Sequence, residues 1–176
     1  TGTAHYIDDL NEPDGTLHVV PGYAKDAACG KILKCDLSDV RNAEGVIAVL
    51  TASDIPQKND CSPAFGDDPI LAEGRIDFHG QVIFAVVAQT RAAALRARQL
   101  AKIEIAQEIP VVFVHDSKTN LLPRYAFEKS GHQKSDHKIS GILSIGGQEH
   151  FYLEGQVALA IPQEQGGMFI HSSTQH

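Results

Sequence analysis

The chain has 176 residues, 43% hydrophobic and 21% charged, the make-up of an ordinary globular protein with room for one sizeable core or for a compact domain and part of a second. Its 15 basic and 22 acidic side chains leave a formal charge of −7, which argues against a general nucleic-acid or anionic-membrane binder and favours a small-molecule or protein partner. No apolar run approaches the roughly 20 residues that span a bilayer, "TGTAHYIDD" lacks the pattern of a secretory signal, and Cys29, Cys35 and Cys61 contain no C-x-x-C pair, so a reducing cytoplasm with no disulfide framework and no cluster site is expected.

In chain order, "GTLHVVPG" predicts a short strand and "KILKCDLS" alternates as a second. "LSDVRNAEG" predicts a short helix that starts at Ser38 or Asp39 and ends before Gly45, leading into a buried strand "VIAVLT". "SDIPQKNDCSPAFGDDPILAEG" is rich in Pro, Gly and Asp and is expected to be a long loop, a class of segment that often carries function or meets a partner. The clearest unit is "QVIFAVVAQTRAAALRARQLAKIEI": a strand over Val82 to Val87, an N-cap at Thr90, a helix whose inner stripe is Ala93, Ala97, Leu100 and Ala101, and a following strand "KIEI". Arg91, Arg96, Arg98 and Lys102 on the outer face read more simply as a solvated helix surface than as an anion site. Residues 115–138 are polar and read as a linker. Three strands are expected beyond it, "KISGILSI", "HFYLEGQVALAIP" and "GMFIHSST", with "QEQGG" as the turn between the last two. The missing initiator methionine and the polar end "SSTQH" suggest a piece cut from a longer chain.

The stretch "GGQEHFYLE" carries the chemistry. On an extended strand Phe151, Leu153, Val157, Leu159 and Ile161 would share a core face, and Gln148, His150, Tyr152, Glu154 and Gln156 would share the other. A solvated strand surface is the simple account of that polar row. Gly146 and Gly147 favour a second one, because paired glycines allow unusual backbone angles and let a ligand approach the main chain. Gln148 would then be a neutral donor, able to stabilise a ligand oxygen that a carboxylate would repel. "GILSIGG" has phosphate-loop glycine spacing, but Gln148 stands where that loop needs lysine. His150 and Glu154 are four residues apart on an extended chain, roughly 13 Å, too far to share a metal. His132 and His137 are expected to be solvated, and Ser172 and Ser173 have no nucleophile-elbow setting.

At "GGQEHFYLE" the sequence resembles the molybdenum hydroxylases, the xanthine dehydrogenase and aldehyde oxidase family, in their large molybdopterin-binding subunit. "TGTAHYIDDL", "GVIAVLTASDIP", the long segment from "DDPILAEGRIDFHGQ" to "KIEI", and "SSTQH" match the same family in order, and the wording looks closest to bacterial xanthine dehydrogenase. The resemblance implies an α+β fold: an α/β hammerhead domain over residues 1–114, a linker over 115–138, and the first β-strands of a truncated molybdopterin-binding domain over 139–176. It implies that Gln148 donates a hydrogen bond to an oxo ligand of molybdenum, with Gly146 and Gly147 beside the cofactor. The family reaction is hydroxylation of an electron-poor carbon by water-derived oxygen, with hydride passing to a metal sulfido group. Hypoxanthine and xanthine are the substrates expected, and electrons leave through Fe-S clusters and FAD on partner domains or subunits to NAD, in an oligomeric enzyme. An aldehyde or another N-heterocycle is the alternative substrate, and a non-catalytic interaction or assembly module the alternative role. The family's glycine-rich cofactor loops and its glutamate base are expected beyond His176, and one strand cannot hold a cofactor that several segments enclose, so the isolated chain is expected to hold no molybdenum and to turn over no xanthine. Val82 stands where the family usually has proline, "DAACGKI" replaces a His-containing segment, and "FEKSGHQKSDHKI" is shorter than its counterpart.

Overall fold

The apolar runs of the first hundred residues become six strands and two helices: β1 (His18–Gly22), β2 (Gly30–Asp36), α1 (Ser38–Arg41), β3 (Val46–Thr51), β4 (Arg75–Ile76), β5 (Phe84–Ala88), α2 (Arg91–Ala97) and β6 (Lys102–Gln107). Two more strands, β7 (Ala158–Pro162) and β8 (Met168–Ser172), close the chain. The computed structural model describes residues 2–111, 137, 139, 141 and 145–174. They fall in two compact units, one over Leu10–Val112 and one that joins Thr1–Asp9 to Phe113–Gln175. Most of the expected linker and of "KISGILSI" lies outside the described residues.

In the first unit the run Phe84 to Ala88 is apolar because it is the centre of an antiparallel sheet ordered β1-β5-β3. Phe84, Val86 and Ala88 are fully buried, and the Phe84 ring lies over the backbone of its register partner Gly22, where any side chain would collide with it. The strand begins two residues later than the alternation predicts. Ile83 donates its N–H to Gly22 O at 2.8 Å and Val82 accepts from Ala72 N–H at 2.7 Å, so these residues tie the incoming loop to the sheet. "VIAVLT" is not a buried strand. It is an edge strand, with Val49 buried, Leu50 exposed on the opposite face, and Ile47, 55% exposed, at the irregularity in register between Val46 and Ala48.

The second sheet is ordered β4-β2-β6, with an irregularity between Ile32 and Lys34 that sets Leu33 outside the pairing. One cluster joins the two sheets and both helices: Val20, Val49, Ile76, Phe84 and Val86 pack with Val40 of α1 and Ala93, Ala94 and Ala97 of α2. Thr90 caps α2 as its sequence suggests, its hydroxyl accepting from Ala93 N–H at 3.1 Å. Leu100 does not continue the buried stripe. The chain tightens into a 3-10 turn at Arg98–Leu100, which turns Leu100 outward to 46% exposure, and Ala94 is the third buried position instead. α1 starts at Ser38, as its sequence suggests, and its N-cap position is Leu37, which offers no side-chain acceptor. Asp36 at the end of β2 accepts from Ser38 N–H at 3.0 Å and from its hydroxyl, and those bonds hold the Asp36 carboxyl below its ordinary pKa. Asp39 pairs with Lys102 at 2.7 Å. Arg98 donates to Pro21 O at 3.2 Å and stands over the Tyr23 ring.

The long loop before β4 is ordered by side chains that stand in for a sheet. Asn59 bonds Leu71 in both directions, through Nδ2 to Leu71 O at 2.7 Å and from Leu71 N–H to Oδ1 at 3.0 Å. Asp60 accepts from Ser62 N–H at 3.1 Å and Asp68 N–H at 3.3 Å, and Lys58 bonds its other oxygen at 2.9 Å. That ring of donors, the Lys58 bond foremost, lowers the Asp60 pKa to about 2.

In the second unit β7 and β8 form a hairpin in which Leu159 faces His171 and Ile161 faces Phe169. "QEQGG" makes the turn, with Gln165 and Gly166 at positive φ as such a turn requires. The predicted strand over 150–162 is shorter than its pattern, and only Ala158–Pro162 pairs. Phe151, at φ 53°, breaks the alternation, and among the described residues no strand stands beside 148–157 to hold it extended.

Candidate functional site

Gly146, Gly147 and Gln148 lie in exposed, irregular backbone on the N-terminal side of the hairpin. Neither glycine has a positive φ, so the expectation of unusual backbone angles is not met. Nor does packing require them, since a Cβ at either would meet nothing within 4 Å. Among the described residues neither glycine is explained by a positive φ or by a close contact.

The polar row from Gln148 to Gln156 is not one face. Phe151 accepts the turn: its N–H bonds back to Glu149 Oε1 at 3.4 Å, and Phe151 and Leu153, expected in a core, are 89% and 88% exposed. Gln156 bonds the Tyr152 hydroxyl, a local contact. Glu154 reaches furthest. Its Oε1 accepts the N–H of Ile7 at 3.0 Å, across 147 residues of sequence, in a partly buried setting. Ile7 opens a 3-10 turn (Ile7–Asp9) that is closed on itself by Tyr6 N–H to the Asp9 carboxylate at 2.9 Å and Asp9 N–H to Tyr6 O at 3.0 Å. No local signal could have paired Glu154 with Ile7, whereas Asn59 and Asp60 carry the usual side-chain-to-backbone habit of their residue types, readable within the loop. The hairpin end is fixed by Ser173, whose hydroxyl accepts from Val157 N–H at 3.0 Å and contacts Gly155 O at 2.9 Å.

Among the described residues no cluster of three His, Cys, Asp or Glu could hold a metal. The cysteines are unpaired, with Cys29 buried against Glu108 O. No described helix is long and apolar enough to cross a membrane. A cleft of about 330 Å³ in the first unit, between Tyr23–Ala27 and β6, is floored by Ala101, Ile103 and Ile105 and rimmed by Arg98 and Gln107, but it gathers no convergent reactive groups. For a large anionic cofactor the donor set at 146–148 is suitable as a partial site: an uncharged amide donor beside main chain that no described residue covers.

The sequence profile of the aldehyde oxidase and xanthine dehydrogenase a/b hammerhead domain matches residues 1–108, and that of the molybdopterin cofactor-binding domain matches residues 114–176. The chain is 36% identical to a xanthine dehydrogenase of Dictyostelium discoideum, with all of this chain and 13% of that protein covered. It is also 36% identical to aldehyde oxidase 2 of Mus musculus, with 99% of this chain and 13% of that protein covered. Among solved structures it is similar to an aldehyde oxidoreductase from Desulfovibrio gigas, at a TM-score of 0.56 and 31% identity over 62% of this chain and 13% of that one. The chain thus spans about one-seventh of the length of the curated relatives it matches. With a hammerhead domain and the start of a molybdopterin cofactor-binding domain in order along one sequence, it belongs to the aldehyde oxidase and xanthine dehydrogenase family.

Proposed function

We propose that the chain is part of a molybdenum hydroxylase of the xanthine dehydrogenase type, and that Gln148 is its contact with the cofactor. The observation that carries this reading is the exposed Gln148 amide, set behind two glycines that neither conformation nor packing explains, inside the segment that matches the cofactor-binding domain. When bound, the molybdopterin cofactor supplies the two-electron oxidation that hydroxylates an electron-poor carbon with oxygen from water. Gln148 Nε2 would donate to an oxygen of that group. Because the amide is neutral, it favours negative charge developing there without changing the proton balance, as a carboxylate would. Gly146 and Gly147 would let the cofactor lie against the main chain, their N–H groups accessible to it. Fe-S clusters and FAD on partner domains or subunits, and NAD as acceptor, belong to the same proposal, as do an oligomeric enzyme and a cytoplasmic setting.

Hypoxanthine and xanthine are the proposed substrates; the equal identity to an aldehyde oxidase makes an aldehyde the second reading. The test is steady-state turnover of xanthine and of an aromatic aldehyde by the full-length protein, normalised to molybdenum content. Gln148→Ala is expected to lower turnover about a hundredfold, the cost of one preorganised donor. Wild-type turnover in that variant would remove Gln148 from the site, and preference for the aldehyde would select the second substrate.

A further inference from the structure

The segment that bears Gln148 has few attachments of its own. Among the described residues, 145–154 pair with no strand and make one hydrogen bond to a residue distant in sequence, that of Glu154 with Ile7. The other bonds of this stretch, Phe151 N–H to Glu149 and Gln156 Nε2 to the Tyr152 hydroxyl, are local. At the C-terminal end the Ser173 hydroxyl fixes Gly155 and Val157 to the hairpin, while every residue between Gln148 and Val157 except Glu154 is exposed and Phe151 sits at positive φ. A segment so held needs a second fixed point to keep its place. Glu154 is that point, and its partner is a short turn already closed by two bonds between Tyr6 and Asp9.

We propose that Glu154 is a positioning residue: by accepting the Ile7 N–H it straps the N-terminal turn 6–9 to the Gln148 segment and fixes where the Gln148 amide stands. The strap lies within the unit that joins Thr1–Asp9 to Phe113–Gln175. Its charge matters less than its acceptor oxygen, since the partner is a backbone N–H. Glutamine at this position keeps such an oxygen; alanine does not. The consequence for turnover rests on the function proposed above, while the strap itself does not.

The experiment uses the full-length protein in three variants, Glu154→Ala, Glu154→Gln and Gln148→Ala, read by amide hydrogen exchange over residues 3–9 and 146–154 and by kcat and KM per bound molybdenum. Glu154→Ala is expected to speed exchange in both segments by roughly tenfold, as for one lost bond to a charged acceptor, and to lower kcat by about tenfold or more with KM little changed, as for a displaced donor. Glu154→Gln is expected to restore both, which a general loss of packing would not do. Unchanged exchange of the Ile7 amide in Glu154→Ala would overturn the strap. Faster exchange with wild-type kcat, while Gln148→Ala is impaired, would overturn the positioning role and leave the site intact. Wild-type kcat in Gln148→Ala as well would overturn the functional reading and the positioning role together, a pattern distinct from the previous one.

Discussion

The two units bury their apolar residues to very different extents. Every fully buried hydrophobic side chain among the described residues lies between Val20 and Ala97, in the hammerhead unit, where two sheets and two helices share one cluster. The hairpin unit has apolar runs as strong, yet Phe151, Leu153, Met168, Phe169 and Ile170 stand exposed. The lesson concerns what alternation means. A period of two says that a segment is suited to a sheet with one apolar side; it does not say that the sheet or its cover is supplied by the same stretch of chain.

The difference can be broken most sharply at Phe84. Phe84→Ala should destabilise the unit over Leu10–Val112 by about 3–5 kcal/mol, since the ring is fully buried and its loss also uncovers Gly22. Leu153→Ala, at an equally apolar position of the sequence, should shift stability by no more than about 0.5 kcal/mol. Urea unfolding of the two variants measures both, and equal losses would erase the contrast. At the next level down, Thr90→Ala should cost about 1 kcal/mol by leaving the Ala93 N–H of α2 without its acceptor. Thr90→Ser should recover most of it in the same unfolding experiment.

The smallest effect is an acid response of the loop at Asp60. Its folded pKa of about 2 lies below the ordinary 3.8, so its contribution to loop order is complete above pH 4 or so and is lost as pH falls through about 2. Exchange of the Ser62 and Asp68 amides should therefore accelerate across that window and, in Asp60→Ala, should be fast already at neutral pH. A flat profile in the wild-type protein would show that the loop is held by the Asn59 bonds to Leu71 alone.

What could be read from sequence was whatever depends on near neighbours. β1, β2 and β6 follow from alternation, the α2 cap from a threonine before an alanine-rich run, and the final turn from its glycines. The family likeness needed only ordered blocks of residues. What could not be read depends on partners far along the chain. Asp36 bonds the first residue of α1 because it ends a strand whose position the sheet decides, and Leu100 turns outward because the chain tightens into a 3-10 turn at Arg98–Leu100. Around Gln148 the sequence marked the residue type that suits a cofactor oxygen, but it suggested an extended strand. With no pairing strand among the described residues, the segment takes an irregular path and Glu154 finds its partner 147 residues away.

Pro21 and Arg98 give the hammerhead unit a further property. β1 is an outer strand of its sheet, where main-chain groups would ordinarily invite a stranger strand to pair. At Pro21 the ring has removed the donor, and Arg98 occupies the carbonyl. Both halves of one ladder rung are taken, so a strand pairing along that border would meet a break at Pro21. An arginine that reads in sequence as part of a solvated helix face is thereby committed to the border of the sheet.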